Sequence, residues 1–159
     1  MINTKCAPAR GRERSDLSTE PELLLYTDGA SRGNPGPAAI GYAIFDSGGI
    51  LIEKDAKTIG RHTNNEAEYE AILWGTEKLR ERGCGIVRVF SDSELVVRQT
   101  SGAYDVNSDN LRVYAQKVAQ NKKLFSSFQV MHAPRENPRI ALVDALVNAV
   151  LDKEEDRRR

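Results

Sequence analysis

The sequence predicts one α/β domain in which a mixed sheet is flanked by helices. Three observations point there. Leu23-Leu24-Leu25-Tyr26-Thr27 and Ile86-Val87-Arg88-Val89-Phe90 are short β-rich runs, and each leads into an aspartate, Asp28 and Asp92, and a polar turn. Between them, Tyr69, Ile72, Leu73, Thr76 and Leu79 recur at helical spacing. Before that helix, two further β-rich segments separated by turn residues read as a meander. The order of elements is therefore β-β-β-α-β-α-α-β-α.

Residues 1–21 are polar, carry Pro8 and Pro21 and show neither apolar period, so they are read as a disordered tail. The first strand is expected over Glu22–Thr27, with Asp28 where strand gives way to loop. An aspartate there can meet a metal without being buried alone, and it can equally cap a turn. Asn34-Pro35-Gly36 suits a type II turn, Pro fixing φ and Gly supplying φ > 0. Glycines at 29, 33 and 36 resemble a phosphate cradle, but no Gly-Lys-Ser/Thr follows and Pro35 and Pro37 prevent a helix from opening there. The second strand is Ala38–Asp46, Ser47-Gly48-Gly49 a hairpin loop, and Ile50–Ile59 the third strand.

Thr63-Asn64-Asn65-Glu66 is a capping box that opens the long helix, and Gly83 and Gly85 close it. Glu68 lies on the edge of the inward face, while Glu77 and Glu81 lie outward. Its position suits a functional acid and also an ordinary rim residue favoured by the helix dipole. If the strands ending at Asp28 and Asp92 are parallel neighbours, the two carboxylates meet at the sheet end where open α/β proteins place their ligands. Ser93–Gln99 reads as a short helix broken at Gly102. Asn107–Asn121 is another helix, with Leu111, Tyr114, Ala115 and Val118 on one face, and Phe125–Met131 is a last strand. Pro134–Arg139 is a loop, and Ile140–Leu151 a final helix with Asp144 beside its apolar stripe of Ile140, Val143, Val147 and Val150. The folded domain is placed at 22–152 and a solvated, charged tail after it.

Composition narrows the function classes. The chain has 159 residues, 40% hydrophobic and 29% charged, as expected of one ordinary domain with a real core. Lys+Arg and Asp+Glu are 23 each, so binding to a polyanion must rest on local placement of donors rather than net charge. No apolar run reaches the roughly 20 residues of a membrane span. No signal core opens the chain, so a cytoplasmic protein is expected. Cys6 and Cys84 lack metal-ligand spacing and are expected to be reduced. Trp74 reads as helix packing.

Asp28, Glu68, Asp92 and Asp144 each sit at an element end or on an inward-leaning face. Converging acids without cations repel and raise one another's pKa, a cost that hard divalent cations remove. Four motif blocks carry a resemblance: Tyr26-Thr27-Asp28-Gly29-Ala30-Ser31 with Gly33-Asn34-Pro35-Gly36-Pro37; Thr63-Asn64-Asn65-Glu66-Ala67-Glu68; Ser91-Asp92-Ser93; and Asp144-Ala145-Leu146-Val147-Asn148. Over Leu23–Asp152 the chain resembles the type 1 ribonucleases H, most closely the short archaeal and bacterial members.

The resemblance implies a ribonuclease H-like five-stranded sheet in the order 3-2-1-4-5. It implies cleavage of the RNA strand of RNA–DNA hybrids, leaving 5′-phosphate and 3′-hydroxyl ends. It makes Asp28, Glu68, Asp92 and Asp144 ligands of two Mg²⁺ ions bound together with substrate, with Mn²⁺ as an alternative. Asn34, Asn64 and Asn65 match positions that reach minor-groove edges and 2′-hydroxyls, which suits an amide that both donates and accepts. Arg61 and Thr63 match a pocket for a DNA-strand phosphate, consistent with an anion at a helix N-terminus. A monomer is expected.

The chain also departs from the family. The run Pro134–Asp144 carries extra residues between Asn137 and Asp144, so Asp144 is expected to enter its helix a turn differently. His132 precedes the loop in which many members place a turnover histidine, and Arg135 is the candidate in its stead. His62 reads as a neighbour of the phosphate pocket. The basic, Trp-rich handle of some bacterial members is absent around Gly102–Asn110, where Asp105 and Asp109 add negative charge. Two other readings stay open: a hybrid- or duplex-binding module of the same fold with weak or lost turnover, and a nuclease acting on duplex RNA or DNA.

Overall fold

The computed structural model describes residues 21–83, 85–102, 105–106 and 108–159. The expected N-terminal tail, apart from Pro21, and both cysteines lie outside them. Among the described residues, five strands and four helices follow in the predicted order: β1 (Glu22–Ser31), β2 (Gly36–Asp46), β3 (Leu51–His62), α1 (Asn64–Glu81), β4 (Ile86–Ser91), α2 (Glu94–Thr100), α3 (Asp109–Lys122), β5 (Ser127–His132) and α4 (Pro138–Arg158). The sheet order is β3-β2-β1-β4-β5. β1–β2 and β2–β3 are antiparallel, and β1–β4 and β4–β5 are parallel.

Strand alternation gives the sheet two apolar faces. Leu23, Leu25, Val87 and Val89 pack with Tyr69, Ile72 and Leu79 of α1 and with Leu111 and Val118 of α3. Tyr26, Ala39, Ala43 and Phe45 pack on the opposite side with Ile140, Val143, Val147 and Leu151 of α4. The two faces thus place α1 and α4 on opposite sides of β1, where each can bring a side chain to the same strand end.

Several elements extend beyond their sequence signals. β1 continues through Asp28 because β2 pairs with it as far as Ser31, while the pairing with β4 stops at Tyr26–Phe90. Asp28 is therefore inside a strand on one side and past the end of the ladder on the other. β3 runs on to His62, which places Arg61 and His62 in the sheet rather than in a loop. The expected type II turn at Asn34-Pro35-Gly36 is not formed. The positive φ, 114°, belongs to Gly33, and the Asn34–Pro35 peptide is cis. Gly36 instead opens β2, where a Cβ would lie 2.3 Å from the Arg32 carbonyl oxygen.

The final helix differs most. It starts at Pro138 with Asn137 as its cap, Oδ1 accepting from the Arg139 amide at 2.9 Å. The extra residues before Asp144 are thus helix, not loop. Arg139 stacks over the Phe45 ring at 4.4 Å and pins this end to the sheet. Beyond Leu151, the segment expected to be a tail stays helical to Arg158. Ion pairs of Glu154 with Arg157 and Arg158, at one-turn spacing, support it there.

Candidate active site

Close backbone approach builds the site. A Cβ on Gly29 would lie 2.2 Å from the Ala67 carbonyl oxygen, so β1 and α1 touch here because Gly29 has no side chain. The contact lets the Gly29 amide donate to Glu68 Oε1 at 2.7 Å. Glu68 is 4% exposed and Asp28 5%, so the rim reading of Glu68 fails. Thr63 caps α1 as its sequence demands: its Oγ1 accepts from the Glu66 amide at 3.2 Å, and its own amide donates to Glu66 Oε1 at 2.8 Å. Asp92 follows the last residue of β4. Ser93 caps the next helix there, its Oγ accepting from the Val96 amide at 3.3 Å.

On the other side of the sheet, Gly41 faces Asp28 across the β1–β2 ladder. A Cβ on it would lie 2.9 Å from Val147 Cγ2, so its absence lets α4 settle against the strand. Asp144, the seventh residue of α4, comes in from that helix. Asp28, Glu68, Asp92 and Asp144 consequently line one cleft of about 210 Å³ with Gly29, Ala30, Asn64, Ser93 and Arg135. Such a volume has room for hydrated ions and a phosphate, and falls short of the roughly 300 Å³ at which small-molecule pockets begin.

The acids are electrostatically unsettled without a cation. Burial, followed by the negative charges of Asp92 and Asp144, pushes the Asp28 carboxyl up to about 8, partly offset by the Arg135 guanidinium. Burial beside Asp28 and Asp92 holds Glu68 well above the usual carboxylate range, against the Gly29 N–H. Asp28 Oδ2 is buried and has no hydrogen-bond partner among the described residues. One carboxylate oxygen from each of Asp28, Glu68 and Asp92 lies within 4.8 Å of the others. Asp144 stands outside that trio but lines the same cleft, where its charge helps to raise Asp28. An orphaned buried carboxylate oxygen among further hard oxygen donors fits a divalent cation.

A second cleft is lined by Asn34, Thr63, Asn65, Glu66, Ser108, Asn110 and Leu111. Asn34 Oδ1 accepts from the Asn64 amide at 3.1 Å, which ties the β1–β2 loop to the start of α1. Sequence reading missed Ser108 and Asn110. Their signal was a hydroxyl and an amide at the start of α3, but nothing local shows that α3 opens opposite α1. Arg61 is exposed on β3 and lines neither cleft. His62 lies 3.6 Å from Glu66. His132 ends β5, outside both clefts, whereas Arg135 reaches the acidic one. Trp74 packs edge-on against Tyr42, with Lys57 over its ring.

Comparison with known proteins agrees with this geometry. A family model described as "Reverse transcriptase-like" matches residues 26–150. Ribonuclease HI of Halobacterium salinarum is 39% identical over 127 residues, 80% of this chain and 63% of that protein, so the chain spans less than two thirds of that relative. Ribonuclease H of Hydrogenovibrio crunogenus is 31% identical over 116 residues, 72% of this chain and 77% of that protein. The solved structure of LC11-RNase H1 in complex with an RNA/DNA hybrid superposes with a TM-score of 0.78 at 40% identity, covering 83% of this chain and 98% of that one. Sheet order, the meeting of the acids and these similarities agree, and the chain belongs to the ribonuclease H family.

Proposed function

We propose that this domain is an endoribonuclease that cuts the RNA strand of RNA–DNA hybrids by metal-dependent hydrolysis. The observation that carries the reading is the meeting of Asp28, Glu68, Asp92 and Asp144, each from a different part of the chain, in one cleft that also holds Arg135. The relative solved with an RNA/DNA hybrid supports the substrate class. The lost-turnover alternative drew on a displaced Asp144, and Asp144 lines the cleft with the other acids.

Asp28, Glu68, Asp92 and Asp144 would hold Mg²⁺, with Mn²⁺ as an alternative. Bound there, the ions supply charge that stabilises both the attacking water and the leaving 3′-oxygen of a phosphodiester. The chain's own groups set the rest. The Gly29 N–H donates to Glu68 Oε1 and orients it, and the burial of Asp28 and Glu68 makes a bound cation the partner that their charged forms require. Arg135 brings a cation beside Asp28, placed to meet a phosphate oxygen. Asn34, Thr63 and Asn65, with Ser108 and Asn110, line the second cleft and offer hydroxyls and amides to a sugar–phosphate strand and its 2′-hydroxyls. Arg61, exposed nearby on β3, adds long-range attraction. All these groups come from one chain, so a monomer suffices.

The test is a gel assay with end-labelled RNA–DNA hybrid, duplex RNA and duplex DNA, each with EDTA, Mg²⁺ or Mn²⁺. Only the RNA strand of the hybrid should be cut, only with metal, and to 5′-phosphate ends. Failure to cut the hybrid with either metal, or equal cutting of duplex DNA, would refute the proposal.

A further inference from the structure

We propose that Arg32 is a positioning residue that sets the Asp144 carboxylate through Asn148, and that Asp152 and Glu155 fix Arg32 for that task. The inference rests on the metal-holding reading of Asp144 given above. Asp144, Asn148, Asp152 and Glu155 recur every three or four residues and form one polar stripe along α4. Arg32, in the loop after β1, spans three of them. Its Nη1 donates to Glu155 Oε1 at 2.7 Å, and its Nη2 pairs with Asp152 Oδ1 at 2.8 Å. The same Nη2 donates to Asn148 Oδ1 at 3.3 Å and to the Asn148 carbonyl at 3.5 Å.

A guanidinium has no acceptor, so it fixes which end of the Asn148 amide faces it. With Oδ1 turned to Arg32, Nδ2 faces the other way and donates to Asp144 Oδ2 at 3.2 Å and to the Asp144 carbonyl at 3.0 Å. A flipped amide would present its oxygen to the carboxylate and repel it. Asp144 lines the acidic cleft with Asp28, so the amide end that faces it fixes how its Oδ2 is presented there. Three turns of α4 and the β1–β2 loop thus transmit one orientation to one carboxylate.

The experiment measures Mg²⁺ affinity without substrate, from the metal-induced rise in melting temperature. It compares the wild type with Asp28→Asn, Arg32→Ala, Arg32→Lys, Asn148→Ala, the Arg32→Ala/Asn148→Ala double variant, and Asp152→Asn/Glu155→Gln. Arg32→Ala and Asn148→Ala should each weaken Mg²⁺ binding by about 10–100-fold, the usual effect of losing an outer partner of a metal ligand. Because they act in series, the double variant should be no weaker than Asn148→Ala. Arg32→Lys, which keeps the charge but not the fork, should resemble Arg32→Ala. Loosening Arg32 through Asp152→Asn/Glu155→Gln should shift affinity the same way by less. KM for hybrid should stay unchanged while turnover recovers at high Mg²⁺.

Melting temperatures without metal identify any variant that has lost its fold, and the remaining variants decide. Unchanged Mg²⁺ affinity with a raised KM in Arg32→Ala would make Arg32 a substrate-phosphate contact and overturn the relay. Additive losses in the double variant would overturn it as well. If Asp28→Asn alone loses Mg²⁺, the relay fails and the metal site stands; if the wild type binds no Mg²⁺, both fail.

Discussion

Asp28 concentrates the energetic conflict of this protein in one carboxyl group. In the fold it releases its proton near pH 8, against 3.8 for an ordinary aspartate. Between those values the metal-free fold binds more protons than the unfolded chain, so stability is greatest at the acidic end and declines as pH rises through that window. The melting temperature of EDTA-treated protein should therefore drop between about pH 5 and about pH 8. Asp28→Asn, which cannot ionise, should show a shallower drop and lose Mg²⁺-dependent cleavage. An equally steep drop in the variant would place the titration elsewhere. Gly29→Ala should be costly for a different reason. Its Cβ meets backbone atoms of Ala67 and Glu68 that cannot rotate away. A loss of about 1–3 kcal/mol, typical of overpacking, is expected in urea unfolding, together with weaker activity as Glu68 is displaced.

At the scale of elements, α1 and α4 act as two arms reaching β1 from opposite faces. The start of α1 does several jobs at once: Thr63 caps it, Asn64 holds the β1–β2 loop, and Glu68 enters the cleft one turn later. Removing the cap with Thr63→Ala should cost about 1 kcal/mol in urea unfolding. Its effect on hybrid affinity should be larger than that of removing the α4 cap with Asn137→Ala, because Thr63 also lines the second cleft and Asn137 lines neither. Equal effects of the two variants on hybrid affinity would leave Thr63 a cap and nothing more. α4 has a matching division of labour. Its apolar face packs on β1 and β2, while its polar stripe runs from the cleft to the charged end of the helix.

For the whole molecule, stability and metal binding are coupled through the same acids. Protons and cations compete for Asp28 and Glu68, so Mg²⁺ should raise the melting temperature more at about pH 8 than at about pH 5. Scanning calorimetry at both values checks this. A pH-independent rise would mean that the cation sits on groups already ionised at both. Net charge is zero, so attraction of a polyanion would rest on local donors such as Arg135 rather than on a field spread over the surface.

The sequence by itself determined the order of elements, the α1 cap and the two strands that lead into Asp28 and Asp92, because capping and apolar period are local properties of a few adjacent residues. Its motif blocks also named the four acids. Only the tertiary structure decided whether Glu68 is rim or interior, since that depends on Gly29 letting β1 approach α1. It likewise decided the length of α4. Read alone, Asp152 to Arg159 is a charged run with no apolar partner, and its link to Asp144 exists only because Arg32, 120 positions before Asp152, folds back against it. Ser108 and Asn110 stayed invisible for the same reason. A site residue contributed from a distant element carries no local signal, because what makes it functional is the neighbour that the fold supplies.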